Sequence, residues 1–241
     1  MHIEVLGSSS SGNCYIIHSD MGNLIIECGI PFRYTEKALS YDFSNVLGVL
    51  VTHEHGDHCG YIKDYIRHFK VFATRGTFEK CGFLNHHNSN VVDYMKTYNI
   101  GDYRVLPFKT IHDAEQPCGY AIKLPTGDNM VFATDTSQLN VNFGNISYWL
   151  VECNYDIDIL RSNVAKGVVN GILAQRIAKS HLSLRKCIDM FSVNNLSRTK
   201  IILLIHLSEK NSDRELFRRE ISRVTGKSVF IAQKGTLIEL L

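Results

Sequence analysis

Short apolar runs recur along the chain, and most are too short to be anything but strands. Residues 2–6, 14–18 and 24–27 read as β-strands divided by turns of Gly, Ser, Asn and Asp. Residues 46–51 form a wholly apolar strand. Tyr61, Ile62, Tyr65, Ile66 and Phe69 fall at helical spacing and predict a helix over 61–69, with a shorter helix over 32–39. Residues 71–73 and 104–111 are further strands. The pattern then begins again. Residues 119–124 and 130–133 predict a hairpin around 125–129, a segment dense in turn formers. Residues 148–151 are another apolar strand. Helices are expected over 164–179, 184–191 and 215–224, and strands over 201–205, 229–232 and 236–240. Two β-rich halves that each trail helices predict an α/β (α+β) architecture, two packed sheets with helices outside.

Composition narrows this picture. The 241 residues suit one domain spanning 1–241, because only four prolines occur and no Pro/Gly/Ser-rich stretch reads as a linker. The formal net charge of +2 neither demands nor excludes a polyanionic substrate. No apolar run approaches the ~20 residues of a membrane helix, and the first residues start as a strand, which predicts neither a secretory leader nor a membrane partner. The seven cysteines are odd in number and form no CxxC pair. That pattern points to reduced thiols in the cytoplasm, and away from a disulfide framework or a thiolate zinc site. Oligomeric state is not legible.

The candidate chemistry sits where strands end. Residues 46–51 run into His53-Glu54-His55-Gly56-Asp57-His58, three imidazoles and a carboxylate in one turn. The strand 104–111 is followed by His112, 130–133 by Thr134 and Asp135, and 201–205 by His206. A sheet presents its strand ends along one edge, so these residues can converge although they are distant in sequence. Together they make five imidazoles and two carboxylates, His53, His55, Asp57, His58, His112, Asp135 and His206. Two ions sharing one bridging Asp need about that many ligands if each keeps a position for water. Nitrogen and oxygen donors without thiolate fit Zn²⁺, Mn²⁺ or Fe²⁺. His2, His18, His68, His86 and His87 lack this placement and read as surface or loop residues, with the His86-His87 pair a candidate substrate contact.

HxHxDH followed by a His, an Asp and a final His at strand ends resembles the metallo-β-lactamase superfamily. Further segments point within it: Gly7-Ser8-Ser9-Ser10-Ser11-Gly12-Asn13-Cys14, His112-Asp113, Ala133-Thr134-Asp135, Leu150-Val151-Glu152, Ser180-His181-Leu182-Ser183 and Ile205-His206-Leu207-Ser208. In this order they resemble the WalJ/YycJ-type branch, related to ribonuclease Z and to cyclic phosphoribosyl phosphodiesterases. The resemblance implies a four-layer αββα sandwich. It implies His53, His55 and His112 at one ion, Asp57, His58 and His206 at the other, and Asp135 as the bridge. It implies His181 near the leaving group, oriented by Glu152, so that Asp57, His181 and Glu152 are the expected catalytic residues. Where relatives carry Asp-x-Gly, this chain has Glu27-Cys28-Gly29, whose Glu27 is either a carboxylate supporting the HxHxDH turn or a drift at a structural turn. His181 also has a plain alternative, a residue preceding a helix cap at Ser183.

These expectations amount to a phosphodiesterase acting on nucleic acid by attack of a hydroxide shared by two divalent ions. The branch points to a DNA exonuclease, with RNA the alternative polymer. Asp135, His181 and His206 are too close in sequence for a β-CASP insertion, and there is no long Gly/Pro-rich arm of the ribonuclease Z kind. The serines Ser8, Ser9, Ser10 and Ser11 either contact phosphate or simply make a turn. Arg214, Arg218, Arg219 and Arg223 read as a solvated helix face balanced by Glu215 and Glu220. The modest basicity leaves a small-molecule hydrolase, for a cyclic phosphodiester, lactone or thioester, as the alternative. A non-catalytic binding module predicts missing ligands, and none is missing.

Overall fold

The computed structural model describes residues 1–139 and 142–240. Its contacts divide the chain into two compact units, residues 1–109, 114–126 and 232–241, and residues 110–113 with 127–231.

The first unit opens with strands β1 (His2–Ser9), β2 (Gly12–His18) and β3 (Asn23–Ile26), helix α1 (Phe32–Ala38) and strand β4 (Val46–Leu50). Then come α2 (Gly56–Cys59), α3 (Ile62–His68), β5 (Val71–Ala73), α4 (Arg75–Cys81), β6 (Ser89–Val91), β7 (Tyr98–Ile100), β8 (Tyr103–Lys109) and β9 (Cys118–Lys123). The closing strand Leu237–Glu239 pairs with β1, and the sheet continues through β2 to β6. Pairing is antiparallel as far as β3 and parallel from β3 onward.

Register explains why the apolar runs lie here. Ile16, Ile25, Val49 and Val71 are successive cross-strand partners and make one row of β-branched side chains. Phe32 from α1, Tyr65 from α3 and Phe78 from α4 cover that row. The opposite row, Tyr15, Ile26, Leu50 and Phe72, is buried too, so β4 must be apolar on both faces. Tyr120 of β9 reaches it, donating its hydroxyl hydrogen bond to Val51 O at 2.6 Å. Each fully buried aliphatic side chain in these rows contributes about 1.5–3 kcal/mol. Helix α4, with only one large apolar residue, Phe78, in its seven, carries little periodic signal, and its boundaries come from the Thr74 cap and the left-handed Gly82.

The second unit has four parallel strands in the order β10 (Asn129–Ala133), β11 (Tyr148–Glu152), β12 (Ile201–Ile205) and β13 (Ser228–Ile231). Ala133, Val151, Leu204 and Ile231 are in register, so Asp135, Glu152 and His206 all leave the same carboxyl end. Helices α5 (Ile157–Ala165), α6 (Gly171–Ser180), α7 (Leu184–Val193) and α8 (Arg214–Thr225) complete the unit. Trp149 anchors its core, donating Nε1–H to Thr199 Oγ1 at 3.0 Å and meeting Phe191 edge-on. The single helix expected over 164–179 is instead the hairpin α5–α6. Gly167, at φ 71°, breaks the chain. Asp156 and Asn170 cap the two helices through their side chains.

Candidate metal centre and acid dyad

In the first unit the hexapeptide caps the apolar strand. Val51 and Thr52 carry the chain out of β4, His53 follows, and α2 turns Asp57 and His58 back over the strand end. His53 and His58 are buried, with ring centroids 4.2 Å apart. Two neighbours set the rings: His53 Nδ1 lies 2.9 Å from Thr52 Oγ1, and His58 Nδ1 lies 3.4 Å from Glu27 Oε1. With Nδ1–H of His53 given to Thr52 Oγ1, that ring directs Nε2 toward the other donors, the tautomer a metal ligand requires, while the Glu27 carboxylate faces His58 at ion-pair distance. Glu27 is fully buried at φ 68° and also accepts from Thr52 N, so it supports the turn. Burial pushes its carboxyl up, against the pull of His58.

Two residues that the sequence did not single out complete this half. Asn13 is buried, and its amide donates to Asp57 O at 3.1 Å and lies 3.3 Å from His58 Nε2. Gly29 passes so close beneath α2 that a Cβ there would lie 1.8 Å from Asp57 O. The signal for both was their place in Ser-Gly-Asn and Glu-Cys-Gly turns. The serines serve the hairpin around Asn13. Ser8 Oγ accepts from Tyr15 and Ser9 Oγ from Ser11 N, while Ser10 and Ser11 are exposed at the turn.

In the second unit the strand ends bring His112, Asp135, Glu152, His181 and His206 together. Asp135 divides its oxygens, Oδ2 lying 3.3 Å from His112 Nε2 and Oδ1 3.0 Å from His206 Nδ1. His112 gives Nδ1–H to Ser180 O at 3.0 Å, and burial lowers its pKa, which favours the neutral ring. His206 also approaches Glu152 Oε1 at 3.1 Å, and Asn154, missed in the sequence, donates to His206 O at 2.8 Å. Asp135 and His206 both hold left-handed backbone, at φ 47° and 53°. Such strain in non-glycine residues persists where surrounding structure enforces it, and it clusters at functional sites.

His181 lies 2.7 Å from Glu152 Oε1 through Nδ1. Glu152 Oε2 accepts from Leu182 N and Thr136 N, both at 3.1 Å, so this buried carboxylate is fixed on two sides. Burial alone would raise Glu152, but the imidazoles of His181 and His206 hold it below its usual range. Burial alone would lower His181, and the Glu152 carboxylate outweighs it, so His181 sits above an ordinary imidazole. Ser183 is indeed the cap of α7, so the cap and the dyad coexist.

Donor spacing tests whether an ion fits. Bonds of about 2.0–2.1 Å at tetrahedral angles set ligand atoms about 3.3–3.4 Å apart. His53 Nε2 to His55 Nδ1 is 3.2 Å, His58 Nε2 to Asp57 Oδ2 is 3.3 Å, and His112 Nε2 to Asp135 Oδ2 is 3.3 Å. One pair of nitrogens and two nitrogen–carboxylate pairs at that distance match the spacing, so the His/Asp sets fit divalent ions. The remaining histidines serve elsewhere: His18 pairs with Glu4 at 2.9 Å, His68 stacks on Phe32, and His86 stacks on His87.

The sequence profile of the Metallo-beta-lactamase superfamily matches residues 9–138, more than half of the chain. The chain belongs to the metallo-β-lactamase superfamily. It is a metal-dependent hydrolase of that superfamily's α/β sandwich fold, two mixed sheets flanked by helices. It is similar to the exodeoxyribonuclease YycJ of Bacillus anthracis, 27% identical, over 95% of this chain and 91% of that protein. The exodeoxyribonuclease WalJ of Streptococcus pneumoniae (strain D39) is likewise 27% identical, over 88% of this chain and 84% of its own. The metallo-β-lactamase fold protein YhfI of Bacillus subtilis superposes with a TM-score of 0.75 at 17% identity, over 98% of both chains. Among the described residues no helix is long and apolar enough to cross a membrane.

Proposed function

We propose that residues 1–241 act as one metallo-β-lactamase domain, a dinuclear phosphodiesterase that removes nucleotides from DNA ends, with RNA the alternative polymer. The observation that carries it is the His181–Glu152 pair, held at 2.7 Å among His112, Asp135 and His206. A proton donor fixed beside metal donors suits a leaving group that needs protonation, as a nucleotide oxygen does. The similarity to YycJ and WalJ supports DNA as the polymer. The seven free cysteines support a cytoplasmic setting.

His53, His55 and His112 would hold one ion, Asp57, His58 and His206 the other, and Asp135 both, its two oxygens facing different histidines. Zn²⁺ or Mn²⁺ suits these donors, and Fe²⁺ fits as well. When bound, the ions supply an activated water at neutral pH and neutralise charge on the phosphoryl oxygens. The protein's own groups do the rest. Glu152 holds Nδ1–H of His181, which turns Nε2 outward to protonate the departing oxygen. Asn13 donates to Asp57, which fixes that carboxylate where it would hold an ion. The exposed Ser10 and Ser11 are the loop's candidates for phosphate contact.

A second reading, a small-molecule hydrolase, draws on one observation. Within α8, Arg218 is paired with Glu215 at 2.8 Å and Arg223 with Glu220 at 2.9 Å, which weakens one stripe a polyanion would use. End-labelled DNA and RNA, assayed beside bis-p-nitrophenyl phosphate with Mn²⁺ or Zn²⁺, separate the two. We expect nucleotides released from DNA ends. Cleavage of the small ester alone, under every metal, sinks the nuclease reading.

A further inference from the structure

One face of α6 carries chemistry that neither the metal donors nor the dyad uses. Ala174, Ile177 and Ala178 pack with Tyr155, Leu160 and Val169 in the small core of the α5–α6 hairpin. Ile172, Gln175, Arg176 and Lys179 follow at i, i+3, i+4 and i+7, so they share a different face. That face, with Asp113 and Ser180, lines a cavity of about 280 Å³. Two contacts fasten it beside the site. Arg176 Nε donates to Asp113 Oδ2 at 3.1 Å, and His112 Nδ1 donates to Ser180 O at 3.0 Å. One wall is therefore the neighbour of His112 and the other the neighbour of His181.

The composition of this face is selective. Helix α6 contains no carboxylate, and of its two cations Arg176 is paired with Asp113 at 3.1 Å. Lys179 is exposed. Ile172 is 84% exposed and Leu173 44%, large apolar groups kept in water next to two cations. A single exposed aliphatic residue needs no explanation. An exposed isoleucine, a glutamine and two cations on one face, opening into a cavity one residue from the acid, match what a nucleic-acid strand presents. A base offers an apolar face and the backbone offers phosphate charge.

We propose that this face of α6 grips the substrate strand. Lys179 takes the phosphate next to the scissile one, Arg176 holds the wall against Asp113, and Ile172 carries that nucleotide's base. The proposal rests on the nuclease reading and names the residues that distinguish a polynucleotide from a small ester. Its test compares Lys179→Gln, Ile172→Ala and Lys179→Arg with wild type, on an end-labelled single-stranded oligonucleotide and on bis-p-nitrophenyl phosphate. The quantity read is the ratio of the two kcat/KM values. It should fall about tenfold in Lys179→Gln and in Ile172→Ala, and Lys179→Arg should retain it. The slope of log kcat/KM against log salt for the oligonucleotide should become shallower by about 0.7 in Lys179→Gln and stay unchanged in Ile172→Ala. Wild-type ratios and slopes in Lys179→Gln and Ile172→Ala would overturn the grip alone. A wild-type enzyme that hydrolyses the ester but no oligonucleotide overturns the nuclease reading and the grip with it.

Discussion

Three of the candidate donor histidines have an oxygen atom behind the ring. Ser180 O behind His112 settles its tautomer, while Thr52 Oγ1 stands behind His53 and the Glu27 carboxylate faces His58. His181 differs in the closeness of its partner, Glu152 Oε1 at 2.7 Å, and proton donation is the role proposed for it. Replacing His181 with Ala should therefore be sensitive to the leaving group. On an oligonucleotide, kcat should fall about 10²–10⁴-fold, the usual worth of a positioned acid. On bis-p-nitrophenyl phosphate, whose phenolate leaves without a proton, the loss should be at least about tenfold smaller. Parallel losses on both substrates would remove the acid role from His181. Most of these residues could be read from the chain because ligand-type side chains at strand ends are conspicuous. Asn13, Asn154 and Gly29 could not, because an amide or a glycine in a turn looks alike whether or not it carries a metal ligand.

At the level of elements, α2 is only four residues long and has little stability of its own. Its position comes from β4 before it and from the segment beneath it. Cys28 N donates to His58 O and Gly29 N to Asn13 O, so Glu27-Cys28-Gly29 is the floor of the turn. Gly29→Ala would place a methyl group 1.8 Å from Asp57 O, and backbone must yield. We expect the variant to fold and to bind metal about 10–100-fold more weakly, as loss of a ligand's support does elsewhere. Metal titration with circular dichroism as the folding control checks this, and wild-type affinity would count against the floor. Where relatives carry Asp, the longer Glu27 accepts from Thr52 N and stands 3.4 Å from His58 Nδ1. The α5–α6 hairpin was less legible. Apolar periodicity continues from α5 into α6, and only Gly167 and Asn170 mark the break.

Across the molecule, the cysteines report on packing in both units. Cys14, Cys28, Cys59, Cys118, Cys153 and Cys187 are buried and Cys81 is partly exposed. Burial pushes the thiols of Cys14 and Cys118 up to about 12, so at pH 8 only about 1 in 10⁴ of either is thiolate. A raised thiol pKa removes nucleophile at every pH below it. Under reducing conditions the native protein should take up at most one equivalent of iodoacetamide, at Cys81, and seven after denaturation. Mass spectrometry counts the adducts, and rapid native labelling of Cys153 or Cys187 would mean that the second unit opens readily.

Hydrophobic period and ligand chemistry are local properties of the chain, so the candidate strand-end donors, the apolar β4 and the superfamily were legible in it. Which oxygen of Asp135 faces which histidine, and how Glu152 holds His181, came with folding. Folding also turned one face of α6 toward Asp113. Those are relations between residues tens of positions apart, created by parallel register and helix packing, and no window of sequence contains them.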